Sequence, residues 1–200
     1  MARNNTWIYH LVALATVAIW GCTFVSTKVL MLNGLSPAQI FTLRFLIAYV
    51  MMLAVYHSRL WADSWRDELK MMLLGISGGS LFAFAGMVIV VLNGRFVLHL
   101  SPLGDALAFT ACLSWSVYSL LMKWVSAKYG AAFITRKVFF YGVLTILPYY
   151  IFYPTLPTAA VLTKPVVVGN LAFLGCLASM ICFLTWNWCI SKLGAVKATN

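Results

Sequence analysis

The sequence predicts an all-α integral membrane protein of about six transmembrane helices, arranged as two related halves. Three observations carry this. The 200 residues are 63% hydrophobic and 9% charged, with a mean hydropathy of +0.93, which excludes an ordinary soluble domain. Six apolar runs approach the roughly 20 residues a helix needs to cross a hydrocarbon core of about 30 Å. Finally, Trp20 and Lys28 recur 95 positions later as Trp115 and Lys123, within ALATVAIWGCTFVSTK (13–28) and AFTACLSWSVYSLLMK (108–123).

The first run, Ile8–Leu32, follows a basic start that looks like a signal peptide. Its apolar stretch outlasts a signal core of about 7–15 residues, and no small-residue cleavage site precedes Trp20, so it is expected to stay as the first span. The second, Pro37–Tyr56, opens behind the boundary marker Ser36-Pro37. The third, Leu69–Leu92, carries a GxxxG pair, Gly75 and Gly79, which suits close helix approach. The fourth is Leu103–Val125, where Asp105 after Gly104 suits the positive end of a helix dipole. The fifth, Val138–Tyr153, is the shortest and holds Pro148. In the sixth, Val166–Ile190, Gly175 and Ser179 echo the GxxxG pair.

The net charge of +10 does not point to nucleic acid, because Lys and Arg gather at span ends as a topology signal. With the N-terminus inside, ten basic residues fall on inner segments: Arg3, Arg59, Arg66, Lys70, Lys123, Lys128, Arg136, Lys137, Lys192 and Lys197. Only Lys28, Arg95 and Lys164 fall outside, and Arg44 lies within a span. Both termini are therefore expected in the cytoplasm. The five cysteines all fall in spans without a CxxC pair, so they are expected as buried apolar fillers rather than disulfides or metal ligands.

The acids Asp63, Asp67, Glu68 and Asp105 lie outside the deep parts of the spans, which leaves no visible carboxylate proton relay. His10, His57 and His99 are far apart, near interfaces. No Walker, GxSxG, HExxH or dinucleotide motif is present, so the chain is not expected to be an enzyme or to carry a cofactor or metal.

The repeat continues beyond its Trp–Lys signature. Arg44 falls near Lys137, and LLGI (73–76) matches FLGC (173–176). The first span runs inside to outside and the fourth outside to inside, so the halves, 1–102 and 103–200, are inverted. Inverted repeats with a site where they meet are a transporter pattern.

The helices AIWGCTFVSTK, SPAQIFTLRF and GDALAFTACLSWSVYSLLMK resemble EamA-type carriers of the drug/metabolite transporter superfamily. The resemblance implies two five-helix repeats, cytoplasmic termini, and movement of metabolites or drugs across the plasma (bacterial inner) membrane by alternating access. Against that ten-span pattern, the third run looks like a chimera of the family's third and fifth spans joined near Ser80–Gly86. The second repeat lacks its last two spans. The expectation is a small-molecule permease, shortened internally and at its end. The alternative is a transport-inert fragment that only inserts in the bilayer.

Five residues are candidates for substrate binding: Arg44, Trp20, Thr23, Trp115 and Ser119. Arg44 lies eight residues past Ser36, about 12 Å along a helix rising 1.5 Å per residue. Such a buried guanidinium either forks onto an anionic substrate group or snorkels. Thr16, Trp20, Thr23 and Thr27 share one helical face, and Cys112, Ser116, Ser119 and Lys123 make a comparable stripe. These stripes either pack helices or line a cavity for substrates with mixed polar and apolar surfaces. The expected partners are the lipid bilayer and an unidentified small molecule, with the GxxxG faces available to a homodimer.

Overall fold

A computed structural model describes residues 6–57, 60–81 and 102–193. Arg3, Arg59, Arg95, His99, Lys197, the side chain of Asp105 and the Ser80–Gly86 junction past Leu81 lie outside the described part. Among the described residues the structure is helical throughout, and four helices are long and apolar enough to cross a membrane. These are Trp7–Leu32, Pro37–Val55, Ala131–Phe152 and Pro165–Lys192. The chain is thus a multi-pass membrane protein.

Helix α1 (Thr6–Leu32) ends in a turn for which Gly34 adopts φ +97. Leu35 N–H bonds Leu30 O at 3.2 Å and Gly34 N–H bonds Met31 O at 3.0 Å. This 6→1 and 5→2 pairing satisfies carbonyls the helix would leave open, at a backbone angle that favours glycine. Helix α2 (Pro37–Val55) starts at once with a capping box. The Ser36 hydroxyl accepts from Gln39 N–H at 3.3 Å, and Gln39 Oε1 accepts from Ser36 N–H at 2.9 Å. The serine and proline that marked the boundary in sequence are therefore its mechanism.

Helix α3 (Trp65–Leu74) passes into π1 (Gly75–Leu81), a wider π-helical stretch. After the undescribed segment come α4 (Pro102–Val125) and α5 (Ala131–Phe152). A single turn, α6 (Ala159–Leu162), precedes the long last span. That span is α7 (Pro165–Ala172), π2 (Phe173–Ile181) and α8 (Cys182–Leu193) in continuous succession. Helix α4, at 24 residues, is also long enough to cross.

Three sequence expectations change. The fifth span begins at Ala131, not Val138, so Arg136 and Lys137 are not solvated end charges; they are 2% and 3% exposed inside α5. The cysteines divide: Cys182 and Cys189 are buried, whereas Cys22 and Cys112 are exposed on the outer faces of α1 and α4. The Cys112–Lys123 stripe splits as well, because only Ser119 is buried while Cys112, Ser116 and Lys123 face out.

Glycines set the tightest helix approaches. A Cβ on Gly75 would lie 2.5 Å from Tyr141 Cβ and 3.2 Å from Val138 O. One on Gly175 would lie 2.6 Å from Ile47 Cγ2 and 3.4 Å from Arg44 O. Gly75 and Gly175 thus each seat on a helix of the same chain. The outer surface carries Leu14, Val25 and Leu32 at 67%, 68% and 78% exposure. In a bilayer such a surface needs no further cover, since lipid tails are as apolar as leucine.

Candidate functional site

The signature tryptophans meet at the centre of the molecule. Trp20 of α1 and Trp115 of α4 pack edge to face, with ring centroids 5.4 Å apart at 90°. Trp186 of α8 completes a triangle, 5.4 Å from Trp20 and 5.8 Å from Trp115. Phe183 closes one side at 5.4 Å from Trp20, and Tyr118 stacks on Trp115 at 5.1 Å. Edge-to-face and offset ring pairs of this kind add about 0.5–1.5 kcal/mol each beyond the area they bury.

Two of the polar groups here fasten onto π2. Trp20 Nε1 donates to Ala178 O at 2.9 Å, and on the next residue Ser179 Oγ accepts from Arg44 Nε at 3.0 Å. The Arg44 guanidinium also lies 5.4 Å over the Phe45 ring. The π-helical stretch is thus held from α1 by an indole and from α2 by a cation. Its backbone carbonyl and hydroxyl are the receiving groups.

A second polar chain crosses behind the triangle. Tyr118 Oη donates to Asn187 Oδ1 at 2.6 Å, and Asn187 Nδ2 donates to Thr135 Oγ1 at 2.8 Å. All three residues are fully buried. Asn187 is thereby satisfied on both faces of its amide, as a buried polar group in a membrane must be. Trp186 differs. It is 4% exposed, yet its Nε1–H has no hydrogen-bond partner among the described residues.

Of the five candidates, the structure brings Trp20 and Trp115 into contact and joins Arg44 to them through adjacent residues of π2. Thr23 and Ser119 make their hydrogen bonds locally. The Thr23 hydroxyl donates to Trp20 O at 2.6 Å and that of Ser119 to Trp115 O at 2.9 Å, each within its own helix. Sequence reasoning passed over Trp186, Asn187, Tyr118 and Thr135. An asparagine inside the apolar run CFLTWNWCI was the available signal, because an amide there must find a partner.

A charged cluster lies where α3 meets α5. Glu68, set one residue before the expected third span, is 8% exposed. Its carboxylate accepts from Lys137 Nζ, Tyr141 Oη and Ala62 N–H. Burial alone would raise this carboxyl, but those three donors outweigh it and hold Glu68 below the usual range. Nearby, Lys128 bonds Asp67 at 2.5 Å and Asp63 at 3.5 Å, and Lys70 bonds Asp67 at 3.1 Å. Hydrogen bonds from Lys128, Lys70 and Tyr129 hold the Asp67 carboxyl well below its ordinary value.

Among known proteins, the model of the EamA-like transporter family matches residues 102–199. No curated protein and no solved structure matches the chain.

Proposed function

We propose that this chain, which belongs to the EamA-like transporter family through residues 102–199 and is thereby a membrane transporter of the drug/metabolite superfamily, carries a small molecule across the inner membrane by alternating access. Its site is built on Trp20, Trp115, Trp186 and Arg44. The single observation that carries this is the contact between Trp20 and Trp115, equivalent residues of the two repeats that meet at one point. Transporters built from inverted repeats place their substrate where the repeats join.

Support for two halves, 1–102 and 103–200, comes from exchanged contacts. Gly75 of the first half seats on Val138 and Tyr141 of the second, and Gly175 of the second seats on Arg44 and Ile47 of the first. The LLGI and FLGC motifs both lead into π-helical stretches. Such stretches break the regular hydrogen-bond ladder and recur at functional sites. The chemistry follows from the lining: indole faces take up apolar surface, the Trp186 N–H offers a donor, and Arg44 supplies a fixed positive charge. An amphipathic substrate with an acceptor or anionic group fits that set. With Arg136 and Lys137 inside α5, the remaining basic residues divide eight to three, which supports cytoplasmic termini.

The test is flux in vesicles reconstituted with the purified chain, over a panel of anionic and neutral amphipathic metabolites. Arg44→Gln should lower uptake of anionic substrates at least about tenfold, the loss of one charge-assisted contact of roughly 1.5–3 kcal/mol, at unchanged protein level. Full uptake by that variant would remove Arg44 from the site. No protein-dependent flux for any compound would favour the transport-inert fragment instead.

A further inference from the structure

Of the eight tryptophans, three form the central triangle and five, Trp7, Trp61, Trp65, Trp124 and Trp188, are between 41% and 81% exposed. All five exposed rings stand at one end of the molecule. Trp7 is at the start of α1, and Trp188 of α8 packs on Tyr9 of α1 with ring centroids 4.9 Å apart. Trp65 opens α3 and Trp124 ends α4, two helix ends tied together by Lys128 on Asp67. Trp61 precedes α3, with the Lys137 ammonium of α5 4.4 Å over its ring. The Gly34 turn returns α2 to the end where α1 began, and there Arg136 of α5 donates to Tyr56 O. At the opposite end the exposed aromatics are Tyr149, Phe152 and Tyr153. We propose that the tryptophan end docks the phosphate headgroups of anionic lipids in the leaflet around it. The inference is independent of the central site and of the transported substrate.

Charge selects the headgroup. The acids of this end, Asp63, Asp67 and Glu68, are already served by Lys70, Lys128 and Lys137. Three further cations, Arg66, Lys123 and Lys192, are exposed, and their side chains make no hydrogen bond or ion pair among the described residues. Each accompanies an exposed indole. Arg66 follows Trp65, Lys123 precedes Trp124, and Lys192 lies one helical turn beyond Trp188. The three pairs come from three helices, α3, α4 and α8, so they make a surface rather than a pocket. Lys28 and Lys164 at the opposite end are exposed with no indole beside them.

Position selects a lipid over a dissolved anion. Trp7 opens one membrane-length helix, and Trp188 lies four residues from the end of another, about 6 Å at 1.5 Å per residue. The polar layer of a bilayer leaflet is about 5–7 Å deep, so both rings stand where headgroups meet hydrocarbon. An indole suits that level, because its ring lies against acyl chains while its N–H donates to phosphate or ester oxygens. A cation beside it adds attraction that an anionic headgroup gains and a zwitterionic one does not.

The experiment reconstitutes the full chain in equimolar phosphatidylglycerol and phosphatidylcholine, with bromine on the acyl chains of one lipid or the other, and reads quenching of tryptophan fluorescence. Brominated phosphatidylglycerol should quench more strongly, reporting a preference of roughly fivefold, the weight of one basic side chain at a membrane surface. A triple variant, Arg66→Gln with Lys123→Gln and Lys192→Gln, should bring the two lipids to equal quenching. Its charge-keeping counterpart, Arg66→Lys with Lys123→Arg and Lys192→Arg, should retain the preference. Lys28→Gln with Lys164→Gln, which strips cations from the opposite end, should leave the preference unchanged. Equal quenching by both lipids in the unaltered chain would overturn the proposal. So would a preference that survives the triple variant, or one that falls as far in the Lys28 and Lys164 variant. Exposed tryptophans quenched by neither lipid would be covered by a second copy of the chain, which also overturns the lipid reading.

Discussion

The Glu68–Lys137 pair at the α3–α5 corner and Trp186 in the central triangle are both buried, but they use polarity in opposite ways. At the corner each acid has its cation: Glu68 has Lys137, and Asp63 and Asp67 share Lys128 with help from Lys70. At the centre the rings pack closely, yet the Trp186 N–H is left without a partner among the described residues. A satisfied network fixes one arrangement, because every alternative strands a charge. An unsatisfied buried donor costs about 1–3 kcal/mol and marks a place where a ligand can recover that energy. The contrast fits an anchoring role for the corner and, on the proposed function, a recognition role for the triangle.

The strongest way to break this contrast is Lys137→Met, which leaves Glu68 buried without its cation. It should cost about 3–5 kcal/mol, and adding Glu68→Gln should restore most of that loss. Trp186→Phe at the centre removes the stranded N–H but also part of the packed indole, opposing effects that should leave stability within about 1 kcal/mol of the parent. Denaturation in detergent, followed by tryptophan fluorescence or circular dichroism, measures all three variants. A Lys137→Met chain as stable as the parent would deny the corner its anchoring role.

Next in size are the glycine contacts. Gly75→Ala and Gly175→Ala each force a methyl into a neighbouring helix and should cost about 1–3 kcal/mol. Gly169→Ala in α7 meets nothing within 4 Å and should gain about 0.5–1 kcal/mol through helix propensity. If the first two were neutral, helix approach at π1 and π2 would be looser than described.

The smallest effect is in acid. The folded Asp67 carboxyl titrates below its unfolded value, so its contribution is present above the unfolded carboxylate pKa of about 3.9 and fades as pH falls through the folded value. Asp67→Asn should therefore lower the melting temperature slightly at neutral pH and flatten the profile in acid, where variant and parent converge; the effect stays small because Lys128 and Lys70 are half exposed.

Particular residues show how far the chain could be read in advance. Ser36-Pro37 announced the start of α2, and the structure adds Gln39 as the partner that closes the capping box. Arg136 and Lys137 misled for a physical reason: sequence weighs a cation as a span end, whereas here aromatic rings and Glu68 allow both inside α5. Glu68 was dismissed on position, one residue outside an expected span, although the fold brings Lys137 and Tyr141 to it from about seventy residues away. Trp20 and Trp115 were found by repeat, but nothing local announced Trp186 as their third member.

By itself the sequence determined that the chain crosses the membrane, where α2 begins, and which residues recur 95 positions apart. Those depend on local properties: apolar length, caps and periodicity. Only the tertiary structure decided which recurring residues touch, which charges are anchored, and which buried donor is left unpaired. Burial and hydrogen-bond satisfaction are properties of neighbours distant in sequence, and packing alone supplies those neighbours.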